Sequence, residues 1–181
     1  LIRKLATLEG FPDLDDPEQW FREQYSETPK YSFLIDRIAP SQVERRNLLK
    51  QYIEPTQEER ESGLKVPSLA HKSIADLVND GIIRIIITTN IDQLIENSLN
   101  DVGITPAVIF NDDTLNGAMP YFHNNCTIIK LHGDYMDTRI KNTPEELAQY
   151  SERMNALLDR IFDEFGLVIC GWSANWDVAL R

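Results

Sequence analysis

Three short runs hold side chains with the means to do chemistry: Thr88-Thr89-Asn90-Ile91-Asp92, His132-Gly133-Asp134 and Gly171-Trp172-Ser173. An unperturbed imidazole titrates at about 6.5, so His132 has the ring type that takes or gives a proton near neutrality. The Asn90 carboxamide and the Thr and Ser hydroxyls are of the kind that orient a polar ligand by hydrogen bonds, and glycine lets a ligand come close to backbone. Each run follows an apolar, strand-like stretch, "IIRIII", "TIIKL" and "LVIC". Ligands of open α/β sheets bind outside the carboxyl ends of the strands, and parallel strands bring those ends to one edge. Groups roughly forty residues apart in sequence would then converge. Each run also has a plainer reading: His132 as a core histidine with a satisfied hydrogen bond, Asn90 or Thr89 as the cap of the next helix, Asp134 as the start of a loop, and Gly171-Trp172-Ser173 as a tight turn. Repetition of the pattern at all three strand ends favours the crevice.

The elements that must position these groups follow from periodicity. Residues 1 to about 80 read as helices joined by polar, Pro-containing loops. "DDPEQWFREQY" sets Pro17 and acidic residues at a helix start, with Trp20, Phe21 and Tyr25 at helical spacing. "SQVERRNLLKQYI" predicts a stripe of Val43, Leu48, Tyr52 and Ile53, and "EPTQEERESGLKVP" a loop or short exposed helix. In "PSLAHKSIADLVNDG", Leu69, Ala70, Ile74, Leu77 and Val78 fall on one side, and Gly81 suits a C-terminal stop. The period then changes. Ile82 to Asn90 reads as a buried central strand, Asp92 to Leu99 as a helix, Thr105 to Phe110 as a short strand and "NDDTLNG" as a turn-rich loop. "CTIIKLHG" is the next strand, and residues 143–165 read as one long helix with a capping box of Thr143 and Glu146 and Pro144 at its first position. "LVICGWS" reads as the last strand. Strands separated by helices predict an α/β fold: a Rossmann-like parallel sheet flanked by helices, with a helical N-terminal region. Residues 85–88, 128–131 and 167–170 are expected as adjacent buried parallel strands.

At 181 residues and 42% hydrophobic content the chain has the length of one domain with a real core, divided into a helical part, 1–66, and a Rossmann-like core, 67–181. The net charge of −11 speaks against wrapping nucleic acid or lying on an anionic membrane. Cys126 and Cys170 lie beside apolar runs, which suits buried thiols in a reducing compartment and cannot supply a four-cysteine zinc site. With no apolar run of membrane-spanning length and no signal peptide visible, the expected location is the cytoplasm. Leu1 opens directly into a helical pattern and "NWDVALR" into another, so the chain is read as a piece of a longer protein, truncated at both ends.

Taken in order, "PSLAH", "IIITTNIDQLIE", "IIKLHGDY" and "LVICGWSANWD" resemble the sirtuin family in its bacterial sirtuin-like branch. That family's pattern runs from T-Q-N-I-D to L-H-G and then G-T-S or G-x-S. Thr88-Thr89-Asn90-Ile91-Asp92 stands in the first place, with Thr89 where sirtuins carry Gln. Leu131-His132-Gly133 and Gly171-Trp172-Ser173 stand in the others, and the resemblance covers about residues 67–181. There are two departures. The interval after L-H-G, where sirtuin deacylases carry a zinc ribbon, is here an amphipathic helical stretch. The G-A-G-x-S phosphate loop is not in this sequence and is expected upstream of Leu1, so this segment alone should bind NAD poorly.

The resemblance implies an NAD hydrolase of prokaryotic antiphage defence, with NAD as substrate and without zinc. It implies that Asn90 orients the ribose and the attacking water, Asp92 holds the nicotinamide carboxamide and His132 acts as base. Thr88, Thr89, Gly133, Gly171, Trp172, Ser173 and Asp177 would line the cofactor, with a helix cap an equal reading for Asp177. His71 is read as structural and His123 as a surface residue. Activation through a homo-oligomer or a partner defence protein is implied, with no membrane and no direct nucleic-acid contact. An NAD-dependent protein deacylase or ADP-ribosyltransferase is the second reading, and a catalytically silent nucleotide-binding or assembly module the third.

Overall fold

The structure, a computed structural model, describes residues 1–141, 144–172 and 178–180. The chain forms two compact units, Leu1–Tyr52 and Ile53–Arg181. In the first, α1 (Ile2–Leu8), α2 (Pro17–Tyr25), α3 (Tyr31–Ile38) and most of α4 (Gln42–Ile53) are helical. Asp16 caps α2, its Oδ1 accepting from the N–H groups of Glu18 and Gln19 at 3.0 Å each, and Pro17 takes the first helical position. Leu5, Ala6, Trp20, Phe21 and Leu34 make this unit's core, with Tyr25 and Phe33 packed against it. In α4 the buried pair is Leu48 and Leu49. Val43 and Tyr52, expected inward, are exposed, because the buried strip covers only the middle of the helix.

The second unit runs α5 (Gln57–Glu61), α6 (Leu69–Asn79), β1 (Ile85–Thr88), α7 (Leu94–Asp101), β2 (Ala107–Ile109), α8 (Asp112–Gly117), a 3-10 turn (Tyr121–His123), β3 (Thr127–Lys130), α9 (Pro144–Leu147) and α10 (Glu152–Glu164). The strands form one parallel sheet in the order β1-β3-β2, with Ile85 opposite Thr127 and Thr88 opposite Lys130. The expected parallel sheet flanked by helices is what forms. Side chains alternate between its faces, as the pleat requires. Ile85, Ile87, Ile109 and Ile129 pack with Met154, Leu158 and Ile161 of α10 and Leu115 of α8. Ile86, Val108 and Ile128 pack with Ala75 and Val78 of α6 and Leu99 of α7. Both faces are covered, which explains why these strands read as nearly unbroken apolar runs.

Several expectations are corrected. "NDDTLNG" is not a loop but α8, because Asn111 accepts from the Thr114 N–H at 2.8 Å and caps it. The long helix is two helices: Ser151 caps α10 afresh, its Oγ accepting from the Met154 N–H at 3.2 Å. The expected capping residue Thr143 lies outside the described residues. Of the residues placed inward by periodicity in α6, Val78 is buried, but Leu69 at 80%, Ala70 and Leu77 are exposed, and Ala75 is buried in addition. Gly81, at φ +74°, does follow the end of α6.

Residues 167–170 are the largest correction. They form no strand, and Leu167, Val168 and Ile169 are exposed, Val168 to 87%. β-branched residues favour a strand only where another strand's edge receives their N–H and C=O groups. Among the described residues β1 is paired along one edge only, to β3. Cys170 is correspondingly exposed rather than buried, while Cys126 is buried and its thiol is pushed up to about 11 by burial.

Candidate active site

The chain leaves β1 toward α7, on one face of the sheet, and leaves β3 toward α10, on the other. β1 and β3 are neighbours. Adjacent strands whose continuations depart to opposite faces leave a crevice between their carboxyl ends, and this is where open α/β sheets bind ligands. The ladder fixes what stands there. Thr88 is opposite Lys130, the last paired residues of β1 and β3, and Asn90 and His132 each follow two residues later in the sequence. The Leu131 N–H donates to the Thr88 carbonyl at 2.9 Å and the Tyr135 N–H to the Ile91 carbonyl at 3.0 Å, which ties the two runs together past the strands.

Around β1 the Thr88 hydroxyl accepts from the Asn90 N–H at 3.0 Å, turning the backbone so that the exposed Asn90 leads out of the sheet. Thr89 is half-buried. Asp92 Oδ1 accepts from the Leu94 N–H at 3.0 Å, a local turn just ahead of α7. The N-cap position of α7 is Gln93, which makes no side-chain capping bond, so neither Asn90 nor Thr89 caps the helix, and only one of the two Asp92 carboxylate oxygens is engaged in the bond to Leu94.

Around β3, His132 is half-buried and its carbonyl accepts from the Lys141 N–H at 2.9 Å. Gly133 is buried at φ +91°, and a Cβ there would lie 3.3 Å from both the Arg139 carbonyl oxygen and Ile140 Cα. Only glycine meets both demands. Gly133→Ala is expected to lose about 1–3 kcal/mol, read from the denaturant midpoint, through left-handed strain and displacement of residues 139–140.

Sequence reasoning passed over the group that joins these runs. Lys130 is fully buried, and its Nζ donates to Glu96 Oε1 at 2.8 Å, Asp134 Oδ2 at 2.7 Å, the Ile91 carbonyl at 3.4 Å and the Asp92 carbonyl. Asp134, read as a possible loop start, is a buried ion-pair partner whose Oδ1 also accepts from the Met136 N–H at 2.9 Å. The signal was present: a lysine in mid-strand, on the same side of the pleat as Ile128, needs a buried anion to receive it.

The loop after β3 is anchored again further on. Tyr135 Oη donates to Glu54 Oε1 at 3.2 Å, and burial first, then this carboxylate, pushes the phenol up to about 12. Asp137 accepts from Asn111 Nδ2 at 2.9 Å and pairs with Arg139 at 3.0 Å, and the guanidinium holds its carboxyl below the usual range. A lowered carboxyl contributes stability above the unfolded value of about 3.9, and loses it as pH falls through the lower folded value. Asp137→Asn should therefore flatten the acid limb of stability below about pH 4, measured as urea midpoint against pH.

The third run is not positioned by the sheet. Gly171 is exposed at φ +70° with open space where a Cβ would stand, and Trp172 is half-buried. Both follow the stretch 167–170, which forms no strand among the described residues. Ser173 and Asp177 lie outside the described residues. His71 Nδ1 lies 2.7 Å from the Ser68 hydroxyl at the start of α6, a structural pairing, and His123 is exposed with its ring against Phe122. Among the described residues no group of three or more His, Cys, Asp or Glu is placed to hold a metal ion, and no helix is long and apolar enough to cross a membrane.

The SIR2-like domain family model matches residues 84–179, more than half of the chain, beginning at the residue before β1. No curated protein matches.

Proposed function

We propose, from the premise that this chain belongs to the SIR2-like domain family and so to NAD-using enzymes, that it hydrolyses NAD to nicotinamide and ADP-ribose. One observation supports the reading: β1 and β3 are adjacent parallel strands, and Asn90 and His132 each follow two residues after their last paired residues, Thr88 and Lys130. In the reaction, the bond between the ribose anomeric carbon and the nicotinamide nitrogen breaks, and its electron pair returns to the pyridine ring. That leaving group departs neutral, so no strong general acid is called for. Positive charge builds on the ribose, as in glycoside cleavage. Asn90 orients the ribose and the incoming water. His132 removes the proton as the water oxygen bonds to the anomeric carbon, and passes it to solvent. The carboxylate oxygen of Asp92 not committed to Leu94 holds the nicotinamide carboxamide. Thr88, Thr89 and Gly133 shape the wall between these groups. Gly171, Trp172, Ser173 and Asp177 belong to the adenosine side in this reading.

In this reading the activity serves cytoplasmic antiphage defence under the control of self-assembly or a partner protein, a role supported by the resemblance to the bacterial sirtuin-like branch. Incubating the intact protein with NAD, with and without an acetylated peptide, tests the reaction class. Nicotinamide released without peptide is the expected result. Release only with peptide means deacylation, and release in neither tube leaves a nucleotide-binding or assembly module.

A further inference from the structure

Resting on the reading of the β1/β3 crevice as the NAD site, we propose that Lys130 is a positioning residue for NAD cleavage. Its ammonium sets the distance between the Asn90 and His132 runs by binding both at once. The Ile91 and Asp92 carbonyls belong to the first run and flank the turn out of β1. Asp134 belongs to the second, two residues beyond His132. Glu96 adds the first turn of α7, the helix that follows the first run. One fully buried cation thus gathers four acceptors from three segments, all within six residues of Asn90 or His132.

Stability alone is a weak reason for such a group. Taking an ammonium and two carboxylates out of water is costly, and apolar residues of similar volume commonly replace buried ion pairs without loss. What an apolar side chain cannot do is donate to the Asp92 carbonyl, or supply the second donor of the Ile91 carbonyl, which also accepts from the Tyr135 N–H. With Lys130 in place those carbonyls cannot rotate, and the Asn90 backbone is fixed relative to β3. A misplacement of about 1 Å at a reacting group costs on the order of 100-fold in rate, so this tether bears on turnover more than on affinity.

The test uses the intact protein and two variants, Lys130→Met and Glu96→Ala, read by steady-state nicotinamide release and by hydrogen exchange of residues 89–92 and 132–134. For folded Lys130→Met, kcat should fall by about 30- to 100-fold with KM within about threefold, and exchange should rise in both runs together. Should Lys130→Met fail to fold, Glu96→Ala carries the test, with an expected loss of about tenfold in kcat at near-parent KM. A purely structural lysine lowers kcat only in proportion to folded protein, and a folded variant with parent kcat overturns the proposal. A parent protein that releases no nicotinamide refutes the NAD-hydrolase reading instead. The positioning role is then decided by exchange alone, and unchanged exchange in both runs overturns it.

Discussion

Replacing His132 by alanine is expected to lower NAD cleavage by about 100- to 10,000-fold while barely moving the unfolding midpoint. The size is that of a lost general base. The small stability change follows from position: His132 lies beyond the last paired residue of β3, is half-buried as a residue although its Nε2 is enclosed, and belongs to neither apolar core layer. A core histidine behaves in the opposite way, losing thermal stability first and activity only with folded protein. Asn90→Ala should track His132→Ala in rate, because Asn90 is exposed and its side chain carries no apolar packing.

The largest stability effect is expected at the centre of the sheet. Ile129 is fully buried on β3, between β1 and β2, against Met154, Leu158 and Ile161 of α10. Ile129→Ala should cost about 2–5 kcal/mol, the lost transfer energy plus a cavity that two flanking strands cannot close. For a chain of this length that corresponds to roughly 4–20 °C in Tm. Nicotinamide release per folded molecule should stay near the parent value, since Ile129 faces α10 and away from the Lys130 cluster. Differential scanning fluorimetry and activity measured well below the midpoint separate the two effects.

The contrast between these residues shows what the sequence carried. β1 and β3 were legible because a strand buried on both faces must be apolar throughout, so a sudden His-Gly-Asp or Thr-Asn-Ile-Asp marks its end. Asn90, Asp92 and His132 were singled out as candidates from that change, and their roles came from the family resemblance. Lys130 escaped because a single charge inside an apolar run reads as an interruption, although burial on the face of α7 obliges it to bind Glu96 and Asp134. α8 escaped because Asn111, Asp112 and Asp113 favour turns and helix starts equally, and only the bond from the Thr114 N–H decides between them. The stretch 167–170 misled for a different reason. Its composition is that of a strand, but a strand is a relation between two segments, and among the described residues no edge receives it.

The claim that NAD is cleaved between the ends of β1 and β3 is tested most directly by hydrogen exchange of the intact His132→Ala protein, with and without saturating NAD. That variant should hold the dinucleotide without consuming it. Protection is expected in residues 88–94 and 131–135 together, because one ligand would cover both strand ends. Saturable NAD binding with unchanged exchange in those two segments would place the dinucleotide elsewhere and contradict the assignment.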